Sequence, residues 1–245
     1  MAIQGTCLQT FIPLRSEPRS AAEMMSCLIF GESFQVLETT PEWLFIQMDF
    51  DGYRGWISAS SFDEYQAMTQ VCDIVFAEAF SEQKRLFIPC GGQMPANGII
   101  KIEDNRYTMK TNLKPSHHLP IGIRLNKLAK SFINTPYLWG GRSFMGIDCS
   151  GFVQVVYKAM DIILPRDTSQ QIEAGVTIDF NKLDVGDLVF FKKPEQLKVS
   201  HVGMMLDKHT VIHASGKVKT NALESKGIYK DRLLEYDIIT CKRMI

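Results

Sequence analysis

The chain has 245 residues, 45% of them apolar and 22% charged, the balance of an ordinary globular protein of one or two domains, or three small ones. Its 27 Lys and Arg equal its 27 Asp and Glu, so no net field draws it to nucleic acid or to an anionic membrane. Six scattered cysteines (Cys7, Cys27, Cys72, Cys90, Cys149 and Cys241) include no CxxC pair, which fits reduced thiols rather than a disulfide framework or a zinc knuckle. No basic stretch followed by an apolar one opens the chain, and no apolar run approaches the roughly 20 residues that span a membrane. The expectation is a cytoplasmic protein, or an exported one if a leader has been removed.

Residues 1–65 are expected to form a small β domain. Alternating runs (SFQVLE, WLFIQMDF, GYRGWIS) are separated by turn signals at Gly31-Glu32, Thr40-Pro41 and Asp51-Gly52, and Asp-Gly between apolar runs is a strong hairpin signal. Phe34, Trp43, Phe45 and Trp56 are the expected core. PLRSEPRSAAEMMSCLIFGESFQVLE followed by WLFIQMDFDGYRGWI resembles a bacterial SH3 domain, with both ends at the right separation. Residues 66–115 carry short apolar runs (VCDIVFAEAF, KRLFIPCGGQMP) and a strand-like alternation around Glu103-Asp104-Asn105. Their turn spacing and position suggest a second, diverged SH3-like domain. Residues 112–120, NLKPSHHLP, read as a linker.

From Ile121 the texture changes. GIRLNKLAKSFI predicts an amphipathic helix with Leu125, Leu128, Ala129 and Phe132 on one face. NTPYLWGGRSFMGIDCSG then leads into FVQVVYKAM, which predicts a buried helix. ILPRDTSQQIEAG holds a second helix start. VGDLVFF, SHVGMML, TVIHAS and a final stretch around 238–242 predict strands. Helices first and an antiparallel sheet after them indicate an α+β domain over 116–245.

Cys149 is therefore expected at the first turn of a helix, behind a glycine-rich loop. The helix end favours the thiolate and so should lower the thiol pKa, and its unpaired N–H groups can hold an oxyanion. A thiol nucleophile needs a base, and the base needs an orienter. His201 and His213 flank an expected hairpin centred on Asp207. An odd loop centred there would set them directly opposite each other on one face, with Cβ atoms roughly 5 Å apart, whereas a two-residue turn would break the arrangement. As zinc ligands, Cys149, His201 and His213 match no short metal motif.

TPYLWGGRSFMGIDCSGFVQVVY, LPRDTSQQ, VGDLVFF, SHVGMML and VIHAS together resemble the NlpC/P60 cysteine peptidases over about half the chain. The resemblance implies an α+β, papain-like catalytic domain preceded by one or two small SH3-like barrels. It implies cleavage of bacterial cell-wall peptides, usually after γ-D-glutamate, with Cys149 as nucleophile, His201 as base, His213 as the polar third member and no metal or organic cofactor. Tyr137 matches a family tyrosine near the oxyanion site, Asp148 and Ser150 match the Asp-Cys-Ser motif, and the resemblance implies that all three lie at the substrate. The SH3-like region narrows the likeness to members that release L-Ala-γ-D-Glu from peptides with a free N-terminal alanine. Asp167, Glu23 and Tyr53 are then the candidate contacts to the substrate ammonium. Asp167 also reads as a helix cap, through Asp167-x-x-Gln170, Glu23 as a solvated charge, and Tyr53 as a packing partner of Trp56. The expected partner is a peptidoglycan-derived peptide, L-Ala-γ-D-Glu-diamino acid, taken by a monomer. The other readings are a hydrolase of intact wall with the SH3-like domains as anchors, a wall-peptide binding module with a dead site, and acyl transfer by the same triad.

Overall fold

A computed structural model describes residues 3–82, 84–110 and 119–244. The chain divides into two compact units, Met1–Pro115 with Leu138–Gly146, and Ser116–Tyr137 with Ile147–Ile245. All but the last two residues of the linker expected over 112–120 lie outside the described residues.

The first unit is all β. Strands β1 (Ile3–Thr6), β2 (Phe11–Arg15), β3 (Met24–Ile29), β4 (Ser33–Thr39), β5 (Trp43–Met48) and β6 (Arg54–Ser58) form an antiparallel sheet in the order β1-β4-β5-β6-β2-β3. The Asp51-Gly52 hairpin forms as its dipeptide predicts. Gly52 takes φ +73, and the Asp51 carboxylate accepts the Tyr53 N–H at 3.0 Å. The expected core is wrong at three of its four aromatics. Strand β5 alternates, so Leu44, Ile46 and Met48 point inward with Phe34 and Ile57, while Trp43 and Phe45 take the other face beside Trp56. Aromatic bulk suggested a core, but the period of two decides which face is buried.

Strands β7 (Gln70–Val71), β8 (Phe76–Phe80), β9 (Arg85–Pro89), β10 (Gln93–Met94), β11 (Ile99–Ile102) and β12 (Asn105–Met109) follow. They make a sheet in the order β11-β12-β8-β9 and a separate β7-β10 pair. Their core gathers Ala77, Ala79, Ile88, Met94 and Ile100 with Leu8 and Phe30. The segment Leu138–Gly146 packs in this unit. There Arg142 makes a two-pronged ion pair with Glu32, at 2.8 and 2.9 Å, and donates to the Cys27 carbonyl at 2.7 Å. Both side chains are fully buried. The Phe144 ring packs at a tilt on Phe76, 4.7 Å between centroids, and Trp139 Nε1 donates to Glu23 at 2.7 Å. Gly140, at φ +76, lies so close to the Met24 carbonyl that a Cβ would meet it at 2.3 Å. Short strands β13 (Arg142–Ser143) and β14 (Gly146–Ile147) complete this stretch of chain.

The second unit is α+β. Helices α1 (Ile121–Ser131), α2 (Cys149–Lys158) and α3 (Thr168–Gln171) are followed by β15 (Val176–Ile178), β16 (Leu188–Lys192), β17 (His201–Met205), β18 (Thr210–Ser215), β19 (Lys217–Ala222), β20 (Gly227–Lys230) and β21 (Leu233–Arg243). The seven strands form one sheet in the order β15-β21-β16-β17-β18-β19, with β20 on β21. Helix α1 buries Leu125, Leu128 and Ala129, with Phe132 at its end, as the spacing predicts. Every residue of α2 is buried. It lies on β17 and β18, which brings its first residue to the sheet.

Candidate active site

Helix α2 begins at Cys149 because Asp148 caps it. The Asp148 carboxylate accepts the Gly151 N–H at 2.7 Å, satisfying one of the otherwise orphaned donors of the first turn. Asp148 is itself held by Arg166, through Nη1 at 3.1 Å and Nη2 at 2.5 Å, and Arg166 Nη1 also donates to Ser150 Oγ at 2.8 Å. Arg166 is 2% exposed. Asp148 and Ser150, expected at the substrate, thus spend these contacts on building the helix start. The backbone of Val202 supplies a hydrogen bond to the Cys149 sulfur, and Thr168 Oγ1 lies 3.9 Å from Sγ. Tyr137 is half-buried, joined to Ile147 by a parallel bridge. Its hydroxyl pKa is raised by burial and then by Cys149 and Asp148.

His201 opens β17 and His213 sits in β18. Their ring nitrogens, His201 Nε2 and His213 Nδ1, are 2.6 Å apart. The hairpin is centred one residue later than expected. The Leu206 N–H donates to the Thr210 carbonyl at 2.8 Å and the Asp207 carboxylate accepts the His209 N–H at 2.8 Å, closing a loop around Lys208. Met204 pairs with Ile212 and Met205 with Val211. Continued, that ladder sets His213 opposite Gly203, and His201 is its diagonal neighbour. The two histidines still share a face, because the shift changes their offset by an even number. Gly203 leaves the space between them open, since a Cβ there would meet Val211 Cγ2 at 2.6 Å and His213 Cβ at 3.2 Å. Tyr236, from β21, stacks on His201 at 4.3 Å between centroids and meets His213 edge-on at 5.9 Å. Its hydroxyl lies 3.1 Å from Ser215 Oγ, and Lys193 Nζ lies 3.9 Å from its ring centre.

A profile of the NlpC/P60 family matches residues 134–236, and one described as the bacterial dipeptidyl-peptidase SH3 domain matches residues 14–62. The protein named Probable endopeptidase NlpC of Escherichia coli is 38% identical over 123 residues, which is 50% of this chain and 75% of that protein. The chain belongs to the NlpC/P60 family. It is a cysteine peptidase. The gamma-D-glutamyl-L-lysine dipeptidyl-peptidase of Bacillus cereus is 24% identical over 80% of this chain and 68% of its own length. The protein of that name from Bacillus subtilis is 26% identical over 76% of this chain and 71% of its own length. A crystal structure of an NlpC/P60 family protein from Bacillus cereus superposes with a TM-score of 0.78 over 98% of this chain and 99% of that one, at 19% identity. The fold is therefore SH3-like β structure followed by a papain-like NlpC/P60 domain.

Charge at this NlpC/P60 site differs from expectation. Burial, then the neighbouring Asp148 carboxylate, pushes the Cys149 thiol up to about 11, against smaller opposing effects of Val202, Thr168 and Arg166. The helix end that should have favoured the thiolate is already occupied by the carboxylate that caps it. Burial holds His201 well below the usual imidazole range, reinforced by His213, Lys193 and Lys219. Burial also pushes His213 down to about 4. Burial thus disfavours the charged form of both the thiol and the imidazole. Asp167 takes the N-cap position of α3, but its side chain makes no capping bond, so the expected capping box does not form. Glu23 and Tyr53 belong to the first unit, where the Glu23 carboxylate receives the Trp139 indole and Tyr53 packs on the core. Thr168, Asn221 and Tyr236 were not singled out from the sequence. Thr168 is the one a signal pointed to, as the residue after Asp167 in the quoted LPRDTSQQ stretch.

Proposed function

We propose that this peptidase cleaves the bond between γ-D-Glu and the diamino acid of peptidoglycan stem peptides whose N-terminal L-Ala is free, and so recycles wall fragments. The observation that carries the chemistry is the sequence of groups from Cys149 at a capped helix start to the His201–His213 pair, 2.6 Å apart. His201 takes the Cys149 proton as the sulfur attacks the amide carbonyl. The Cys149 N–H and the Tyr137 hydroxyl receive the oxyanion. His201 then protonates the leaving amine, and water, activated by the same imidazole, hydrolyses the thioester. His213 orients the base. Arg166, through Asp148 and Ser150, keeps the helix start in place.

The substrate reading rests on the match to the dipeptidyl-peptidase SH3 domain and on relatives named gamma-D-glutamyl-L-lysine dipeptidyl-peptidase. In this reading Asp167 receives the ammonium of the free alanine. A buried ammonium needs a carboxylate partner, and an acylated substrate would leave that carboxylate unpaired. The test is mass spectrometry after incubation with L-Ala-γ-D-Glu-diaminopimelate, with the lysine counterpart, and with both peptides N-acetylated. Cleavage of free peptides alone is expected. Equal cleavage of the acetylated forms would remove amine recognition and favour action on intact wall.

A further inference from the structure

His213 has a second partner. Its Nε2 lies 2.9 Å from Asn221 Oδ1, on β19. The register explains why. His213 pairs with Lys219 and Val211 with Asn221, so Asn221 is the diagonal neighbour of His213 on the same face, as His201 is on the other side. The three side chains run in one diagonal line across β17, β18 and β19. We propose that Asn221 is a positioning residue that sets the tautomers of both histidines, so that His201 meets the thiol with an unprotonated Nδ1.

The argument is a count of protons. An amide oxygen can only accept, so the proton on His213 must sit on Nε2. A neutral imidazole carries one N–H, which leaves His213 Nδ1 as an acceptor. It therefore takes the N–H of His201 Nε2, at 2.6 Å. The proton of His201 is then used, and its Nδ1 keeps a lone pair. That nitrogen is the one available to the thiol, since Nε2 is already bonded. If Asn221 offered its NH2 group instead, every step would invert and His201 would face the thiol with an N–H, which cannot accept a proton. Both rings being neutral near pH 7 is what makes the count hold. Burial is the main cause for both rings; His213, Lys193 and Lys219 add to it at His201, and Lys219 and Lys193 at His213, against the opposing pull of Asn221 and Glu235.

The kinetic part of the test rests on the peptidase reading; the spectroscopic part needs no substrate, so failure of one is distinguishable from failure of the other. Long-range 15N–1H correlation of the imidazoles in the full chain at pH 7 should show His201 and His213 both as Nε2–H tautomers. In Asn221→Leu, His213 should lose that preference, and kcat on L-Ala-γ-D-Glu-diaminopimelate should fall at least about tenfold with KM little changed. Asn221→Asp keeps an acceptor that cannot donate, so it should retain the tautomers and most of kcat. Its added charge favours protonated His213, so the acid limb of its pH profile should move to higher pH. It also carries the test should Asn221→Leu not fold. The proposal is overturned if wild-type His213 is an Nδ1–H tautomer. It is equally overturned if Asn221→Leu keeps both tautomers and kcat, or if folded Asn221→Asp is inactive at every pH.

Discussion

At Cys149 the environment works against a standing thiolate. Burial pushes the thiol up to about 11 and holds both imidazoles low, which favours proton transfer in step with the attack over a standing ion pair. The pH profile follows from these directions. His201 is unprotonated, and so competent, at every pH above its depressed pKa, and the thiol stays protonated until far into the alkaline range. We expect kcat/KM to be nearly flat from roughly pH 5 to 9; a steep rise centred near 6.5 would mean the histidines titrate like free imidazole. Stability should show the complementary effect. Between about 4 and 6.5 the unfolded chain protonates the residue corresponding to His213 while the folded protein does not. The unfolded state then binds more protons, so stability should rise with pH across that window and fall as pH drops toward 4. Thermal unfolding midpoints at stepped pH read this directly.

Among the elements, the β17–β18 hairpin does the most for the site, and its decisive residue has no side chain. Gly203 leaves open the space over which His213 leans to His201. Gly203→Ala should push Val211 and His213 apart from it, lowering kcat more than tenfold with a smaller effect on KM and costing about 1–3 kcal/mol of stability. Steady-state kinetics and denaturant midpoints separate the two. This element also shows how far the site could be read beforehand. The even spacing of His201 and His213 places them on one face only when the loop between them is odd, as it is here, because side-chain direction along a strand has a period of two. The offset was not legible, since loop length depends on the Leu206–Thr210 closure. Asn221 and Tyr236 were illegible for a plainer reason: each reaches the site through pairing between strands, and nothing in TNAL or LEYD marks it. The charge at Cys149 was misjudged because a helix terminus was considered without its burial and without the carboxylate that caps it.

Across the whole molecule, the fold class could be read from the order of helices and strands. The faces of β5 could not be read from aromatic content, as Trp43 and Phe45 show. Nor could the membership of Leu138–Gly146, which departs from sequence order. The Glu32–Arg142 pair is the strongest polar feature of the first unit. Glu32→Gln alone should leave Arg142 a buried, uncompensated charge and cost about 3–5 kcal/mol, whereas the double change Glu32→Leu with Arg142→Met should recover much of the loss. Differential scanning calorimetry of the full chain would read both. The same geometry bears on how such a protein can be taken apart. A cut between residues 115 and 116 does not yield two modules. It strips the first unit of Arg142, Phe144 and Trp139, leaving Glu32 buried without its ion-pair partner, Phe76 without the Phe144 ring and Glu23 without its indole. Neither piece is a cassette, and a recombination event that exchanged one without the other would have to invent new partners for Glu32, Phe76 and Glu23.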